Sequence, residues 1–236
     1  MKDKVVLAVS AHEDDLDFGC SGTIAKWVNE GATAYYMILT DGSKGSNDPN
    51  ADLTKLAEKR RQEQENAAKV LGVKKVFFAN FEDGNLEDNN LVRKEIVKVI
   101  REVKPHSVIT MDPENLYNSD YGYINHPDHI AAARATTFSV FPFSRNRPSF
   151  SELLIEGLEP HNVSELLFIA MGSEKVNLTV DISSTINLKI EALKMHESQY
   201  DNFENLKDNI LKFSSFAGKK NGIDFAESFV RVIIHS

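Results

Sequence analysis

Cysteine is nearly absent. Cys20 is the single one in 236 residues, so no disulfide can form within the chain. A lone thiol fits a reducing compartment. No partner base is evident for it, so Cys20 is expected to be a small buried residue and not a nucleophile. Positive charge is also scarce. Lys and Arg number 27 against 35 Asp and Glu, a net charge of −8, which argues against a general nucleic-acid binder with a basic footprint. Long apolar runs are missing as well. No segment approaches the ~20 apolar residues of a membrane span. The opening MKDKVVLAVSA carries an apolar stretch too short for a signal peptide, and it runs straight into acids. The sequence contains no repeat, low-complexity tract or linker. What remains, 42% apolar and 26% charged, is the composition of an ordinary globular protein. The length suits one domain over 1–236, and the chain is expected to be soluble and cytoplasmic.

The stretch Lys4 to Trp27, KVVLAVSAHEDDLDFGCSGTIAKW, organises the rest. Val5 to Val9 reads as a strand, His12, Asp14 and Asp15 as a polar turn, and Gly22 to Asn29 as a helix ended by Gly31. Thr33 to Leu39 is the second strand, followed by an exposed loop over Ser43 to Asp52. Leu53 to Leu71 is a helix stopped by Gly72, and Lys75 to Ala79 the third strand. Asn80 to Asn90 is an acidic loop, Leu91 to Val103 a helix, and Ser107 to Met111 the fourth strand. This alternation predicts an α/β fold, a Rossmann-like three-layer αβα arrangement with a mostly parallel central sheet. After the loop Asp112 to Asn125, His126-Pro127-Asp128-His129 opens an alanine-rich helix with proline in its first turn. Phe138 to Ser151 is expected to be irregular, and its aromatic residues suit a substrate lid or the interface of a homo-oligomer. Glu165 to Ala170 and Val176 to Val180 are further strands, Ile182 to Gln199 and Asn202 to Phe216 helices, and Ala226 to Ile234 an element of unassigned type.

In an open parallel sheet, functional groups gather beyond the carboxyl ends of the strands. Asp14 and Asp15 there either cap the next helix or, with His12, serve a metal. A catalytic zinc needs about three His, Asp or Glu ligands and an open position. His12 and Asp15, three apart, can aim at one point. The cluster at His126 to His129, after the fourth strand, would supply the rest if the two strands are neighbours.

These residues resemble the zinc-dependent de-N-acetylases of the PIG-L or LmbE-like family. AHEDDLDFGCSGTIAKW is similar to that family's opening AHPDD motif, and HPDH is its second motif, intact. LTDGSKGS, EKRRQEQENAAKVLGV, FEDGNL and KIEALKMHESQY extend the likeness over nearly the whole chain. The resemblance implies that His12, Asp15 and His129 hold Zn2+, or another divalent metal such as Fe2+. It makes Asp14 the general base, His126 the group that stabilises the oxyanion and protonates the leaving amine, and Asp128 the carboxylate that orients His126. Arg60 and Asp83 would contact the sugar. The implied activity is removal of acetyl from an N-acetylglucosamine-containing small molecule, giving acetate and a free amino sugar. Alternatives are an amidase acting on a thiol-sugar conjugate and a metal-bearing sugar-binding protein without turnover. A nucleotide-binding Rossmann protein is disfavoured, because GCSG lacks the GxGxxG spacing. Two positions depart from the pattern. Glu13 replaces the proline of the first motif, and Ile124 stands where the family often has tyrosine, with Tyr121 and Tyr123 nearby. Without the family, Arg60 reads as part of a solvated charged face and His196 as a structural histidine.

Overall fold

The computed structural model describes residues 1–119, 122–170 and 174–235. Its centre is a seven-stranded sheet in the order β3-β2-β1-β4-β7-β9-β8. The strands are β1 (Val5–Ser10), β2 (Thr33–Thr40), β3 (Lys75–Phe81), β4 (Ser107–Met111), β7 (Glu165–Ile169), β8 (Leu178–Asp181) and β9 (Ala226–Ile233). The pairs β1–β2, β2–β3, β1–β4 and β4–β7 are parallel. β9 runs antiparallel to both β7 and β8. Two-residue strands β5 (Tyr117–Asn118) and β6 (Tyr123–Ile124) form a separate small hairpin.

Side chains along a strand alternate between faces, and here both faces are covered. Val6 and Ala8 of β1 join Tyr36 and Ile38 of β2 in one core, under α1 (Asp15–Gly19), α2 (Ser21–Asn29), α3 (Leu53–Leu71), α6 (Ile186–Lys194) and α7 (Phe203–Lys219). Leu7, Val9, Met37 and Leu39 enter the other core, under α4 (Asn90–Val103) and α5 (Pro127–Phe138). Burial on both sides is why the strands read as unbroken apolar runs. Polar residues set the helix boundaries. Asp52 accepts from the Lys55 N–H at the start of α3. Asn89 accepts from the Leu91 and Val92 N–H groups at the start of α4. Gly72 closes α3 with φ 73°, a conformation glycine adopts without a Cβ penalty.

Several elements differ from the sequence-based expectation. Helix begins at Asp15, before Gly22, and breaks at Cys20 into α1 and α2. Gly19 there lies under Ile169, whose Cδ1 would be 2.6 Å from an added Cβ. The helix expected over Ile182 to Gln199 is shorter and ends before His196, which turns inward. Ala226 to Ile233 is a strand, and its Glu227 reaches the start of α2. That carboxylate accepts from the Gly22 and Thr23 N–H groups and pairs with buried Lys189 at 2.6 Å. The irregular 143–149 segment is held by buried Arg101, which donates to the carbonyls of Phe143, Ser144, Asn146 and Ser149. Among the described residues no helix is long and apolar enough to cross a membrane.

Candidate metal centre and active site

The strand order reverses between β1 and β4, where an open α/β sheet forms its ligand crevice. β1 ends at Ser10 and delivers His12 to Asp15. α5, which packs over β4, delivers His126 to His129. Residues 117 apart therefore meet: His12 Nδ1 lies 3.2 Å from His129 Nε2, and His129 Nε2 lies 3.0 Å from Asp15 Oδ1. His12, Asp15 and His129 form one metal-competent group, with ligand atoms within 4.8 Å of one another. A second group, His12, Asp83 and His126, shares its histidine.

Each converging atom is aimed from behind. Asp15 Oδ2 accepts the His12 backbone N–H at 2.8 Å. His12 Nε2 faces Asp83 Oδ1 at 3.0 Å and Asp128 Oδ2 at 3.4 Å. Carboxylates only accept, so Nε2 carries a proton, and Nδ1 is the nitrogen left to offer a lone pair to a metal in the cluster. Asn125 does the same for His129. Its Oδ1 lies 2.9 Å from His129 Nδ1 and also accepts from the Tyr123 hydroxyl and the His126 N–H. Its Nδ2 donates to Asn115 O, which fixes the amide orientation. Two imidazole nitrogens and a carboxylate, each with an orienting partner, suit a divalent metal ion.

The electrostatics favour a cation at this point. Burial alone would lower the His12 pKa, but hydrogen bonds to Asp128, Asp15 and Asp83 raise it to about 12. Burial opposes ionisation of Asp15, yet His129 and His12 hold its carboxyl far below the usual range. Asp83 is brought to about 2 by His12 and the Lys44 N–H, again against burial. Asp14 moves the other way. Burial and the adjacent Asp15 carboxylate push it up to about 7, against Arg60, His196 and His12. Burial and the facing His12 lower the pKa of His126.

Asp14 sits at the N-terminus of α1 without capping it, since its side chain makes no cap hydrogen bond. The helix-capping reading therefore fails for this residue. Its φ of 81° is left-handed, a conformation that costs a non-glycine residue on the order of 1–3 kcal/mol and clusters at functional sites. His126 caps α5: its Nδ1 accepts the Asp128 N–H at 3.2 Å, which leaves the proton of a neutral ring on Nε2. The His126 side chain is exposed. Asp128 departs from the implied role of orienting His126. Its carboxylate accepts from the Gly84 and Leu86 N–H groups at 2.7 and 3.2 Å and backs His12. A two-residue separation across the cap points it into the 83–86 turn.

Arg60 and Asp83 reach the site but turn to the protein. Arg60 is 4% exposed. It donates to Gly42 O and Glu13 O at 3.0 Å each and lies 3.6 Å from Asp14 Oδ1. Asp83 is 5% exposed, and its second oxygen accepts the Lys44 N–H at 2.8 Å. Neither sits on a solvated face. Glu13 is buried and pairs with Arg60 Nε at 3.6 Å. Burial raises its pKa, with Arg60 opposing. Gly42 packs against it with φ 59°, a conformation that favours glycine, and a Cβ there would lie 2.1 Å from Glu13 Oε2. Ile124 is 81% exposed, and Tyr121 lies outside the described residues. Three participants escaped the sequence reading: Asn125, Gln64 and Asp17. Asn125 directly precedes HPDH, and Gln64 lies one turn beyond Arg60 on the same helix face. Those placements are the signals that point to them.

Fold and cluster together define a doubly wound α/β protein with a two-histidine, one-carboxylate site at its switch point, a layout suited to metal-assisted hydrolysis. Comparison with known proteins gives the family. Residues 7–139 match PIG-L, described as GlcNAc-PI de-N-acetylase. The diacetylchitobiose deacetylase of Thermococcus kodakarensis is 36% identical over 231 residues, covering 95% of this chain and 81% of that protein. A probable N-acetyl-alpha-D-glucosaminyl L-malate deacetylase 2 of Bacillus anthracis is 27% identical over 83% of this chain and 81% of its own length. The crystallised N,N'-diacetylchitobiose deacetylase from Pyrococcus horikoshii, in complex with its inhibitor MPG, superposes with a TM-score of 0.88 at 33% identity, over 98% of this chain and 84% of that one. The chain belongs to the PIG-L family of de-N-acetylases.

Proposed function

We propose that this protein is a metal-dependent hydrolase that removes the N-acetyl group from a small N-acetylglucosamine-containing substrate, releasing acetate and a free amino sugar. One observation carries the reading: His12 Nδ1, Asp15 and His129 Nε2 converge, with half-buried Asp14 next in the chain to Asp15 and the exposed His126 ring 4.8 Å from that of His12. His12, Asp15 and His129 would hold the ion, and their nitrogen–oxygen set favours Zn2+. When bound, such an ion supplies Lewis acidity toward the acetyl carbonyl and lowers the pKa of water.

The protein's own groups do the remaining work. Asp14 accepts the proton of the water that attacks the acetyl carbon, the general-base role of a positioned carboxylate. His126 Nε2–H donates toward the carbonyl oxygen as negative charge develops there, and such stabilisation is usually a large term. When the C–N bond breaks, the proton that Asp14 took from the water passes to the departing nitrogen, the base is restored, and the sugar leaves as an amine. Asp83 and Asp128 keep His12 in the tautomer that presents Nδ1. Asn125 keeps His129 presenting Nε2. Intact Asp14 and His126 argue against a sugar-binding protein without turnover.

Acetate release assayed on N-acetylglucosamine, N,N'-diacetylchitobiose and malate- or inositol-linked N-acetylglucosamine tests the proposal. Turnover on at least one of them, abolished by chelator and restored by metal, is expected. No acetate from any of the four with the metal-loaded enzyme would overturn it.

A further inference from the structure

A second buried network lies behind Asp14 and has no part in metal binding. Gln64 of α3 is fully buried, as is Asp17 of α1. Gln64 Nε2 donates to Asp17 Oδ2 at 2.8 Å, and Gln64 Oε1 accepts the Asp14 backbone N–H at 3.0 Å. A carboxylate has no proton to give, so the amide NH2 must face Asp17. Its oxygen is then left for Asp14. His196, 1% exposed, sets its Nε2 2.8 Å from the same Asp17 oxygen. It arrives from the break after α6, and that break is tied to α3 a second time. Ser198 donates through its N–H and hydroxyl to Glu63, at 3.0 and 2.6 Å.

We infer that Gln64, clamped by Asp17 and His196, is a positioning residue that holds Asp14 in its left-handed backbone conformation and thereby aims its carboxylate. This rests on the reading of Asp14 as the base. Position 14 has φ 81° and ψ −33°, and its side chain makes no cap bond, so α1 itself does not explain the strained turn. The hydrogen bond that the Asp14 N–H donates to Gln64 Oε1 does supply a reason for it. The C-terminal histidine acts through two intermediaries and touches no reacting atom. Its function is to hold the Asp17 carboxylate in place, so that the glutamine cannot flip. A flipped amide would set NH2 against the Asp14 N–H, donor against donor.

The test is a double-mutant cycle on zinc-loaded enzyme with N,N'-diacetylchitobiose, combined with hydrogen exchange of the Asp14 amide in the metal-free protein. Gln64→Leu removes both hydrogen bonds at similar volume. It is expected to lower kcat by up to about 100-fold, the effect of misplacing a reacting group by about 1 Å, with KM and metal content near parental. The Asp14 amide should exchange faster. Combined with Asp14→Asn, the substitution should cost nothing further, because both act on one carboxylate. A multiplied loss in the double variant, or near-parental kcat and exchange in Gln64→Leu, overturns the inference. An active Asp14→Asn enzyme overturns the reading of Asp14 instead. Gln64→Met, unbranched and apolar, goes through the same cycle. Failure of both variants to fold would make Gln64 a determinant of the fold and likewise refute the inference.

Discussion

Replacing Asp83 by asparagine perturbs the tautomer of His12 with almost no change in volume. The native carboxylate uses both oxygens, one at 3.0 Å from His12 Nε2 and one accepting the Lys44 N–H at 2.8 Å. Asparagine has one acceptor. Turned to His12, it sets its NH2 against the Lys44 N–H. Turned to Lys44, it sets NH2 against His12 Nε2, which must then lose its proton. The proton moves to Nδ1, the nitrogen that faces His129 and Asp15. Groups that orient a metal-binding histidine are typically worth 10- to 100-fold in affinity, or about 1.4–2.7 kcal/mol. Asp128 Oδ2 at 3.4 Å from Nε2 retains part of the effect. Asp83→Asn alone should therefore lie near the tenfold end, and Asp83→Asn with Asp128→Asn should go further. Competition against a zinc chelator of known affinity reads the change. Parental zinc affinity together with a raised KM for the sugar would refute the argument and return Asp83 to the sugar contact that the family resemblance implies.

Arg60→Ala should lose kcat to the same degree on N,N'-diacetylchitobiose and on a small acetamide, because its guanidinium donates to Gly42 O and Glu13 O beside Asp14; a loss confined to the sugar substrate would contradict this. Glu227→Gln strands buried Lys189 and leaves a single oxygen for the Gly22 and Thr23 N–H groups. Breaking such a buried pair costs about 3–5 kcal/mol, so denaturant unfolding should show that loss while kcat stays near parental; a change under about 1 kcal/mol, the scale of exposed pairs, would show that the pair is not a stabilising contact.

The first half of the chain was legible because β1, β2 and β4 are largely buried on both faces and α3 and α4 carry their own caps. Alternating runs and Gly72 mark the elements from β1 to β4; that β1 and β4 are neighbours is given by the sheet order. Legibility falls where distant residues decide. The last strand reads ambiguously because its pairing is antiparallel to β7 and β8, which nothing local encodes. β5 and β6 are two residues each, too short for a period. The helix ends before His196 because that side chain pairs with Asp17, 179 residues away. At the site, motif spacing pointed to His12 and Asp15 and to the cluster 126–129, while His129 as the third member came from the family resemblance. The orientation of Arg60, Asp83 and Asp128 was not legible. A charged residue near a site reads alike in sequence whether it faces a substrate or a backbone amide, and here burial decides it.

Titrating the metal-free protein with zinc while measuring acetate from N,N'-diacetylchitobiose tests the central claim most directly. Activity should rise from near zero and level off at one metal per chain, and His129→Ala and Asp15→Ala, titrated alongside, should neither bind zinc tightly nor turn over. Full activity of the metal-free protein, or parental binding and turnover in both variants, would contradict the account.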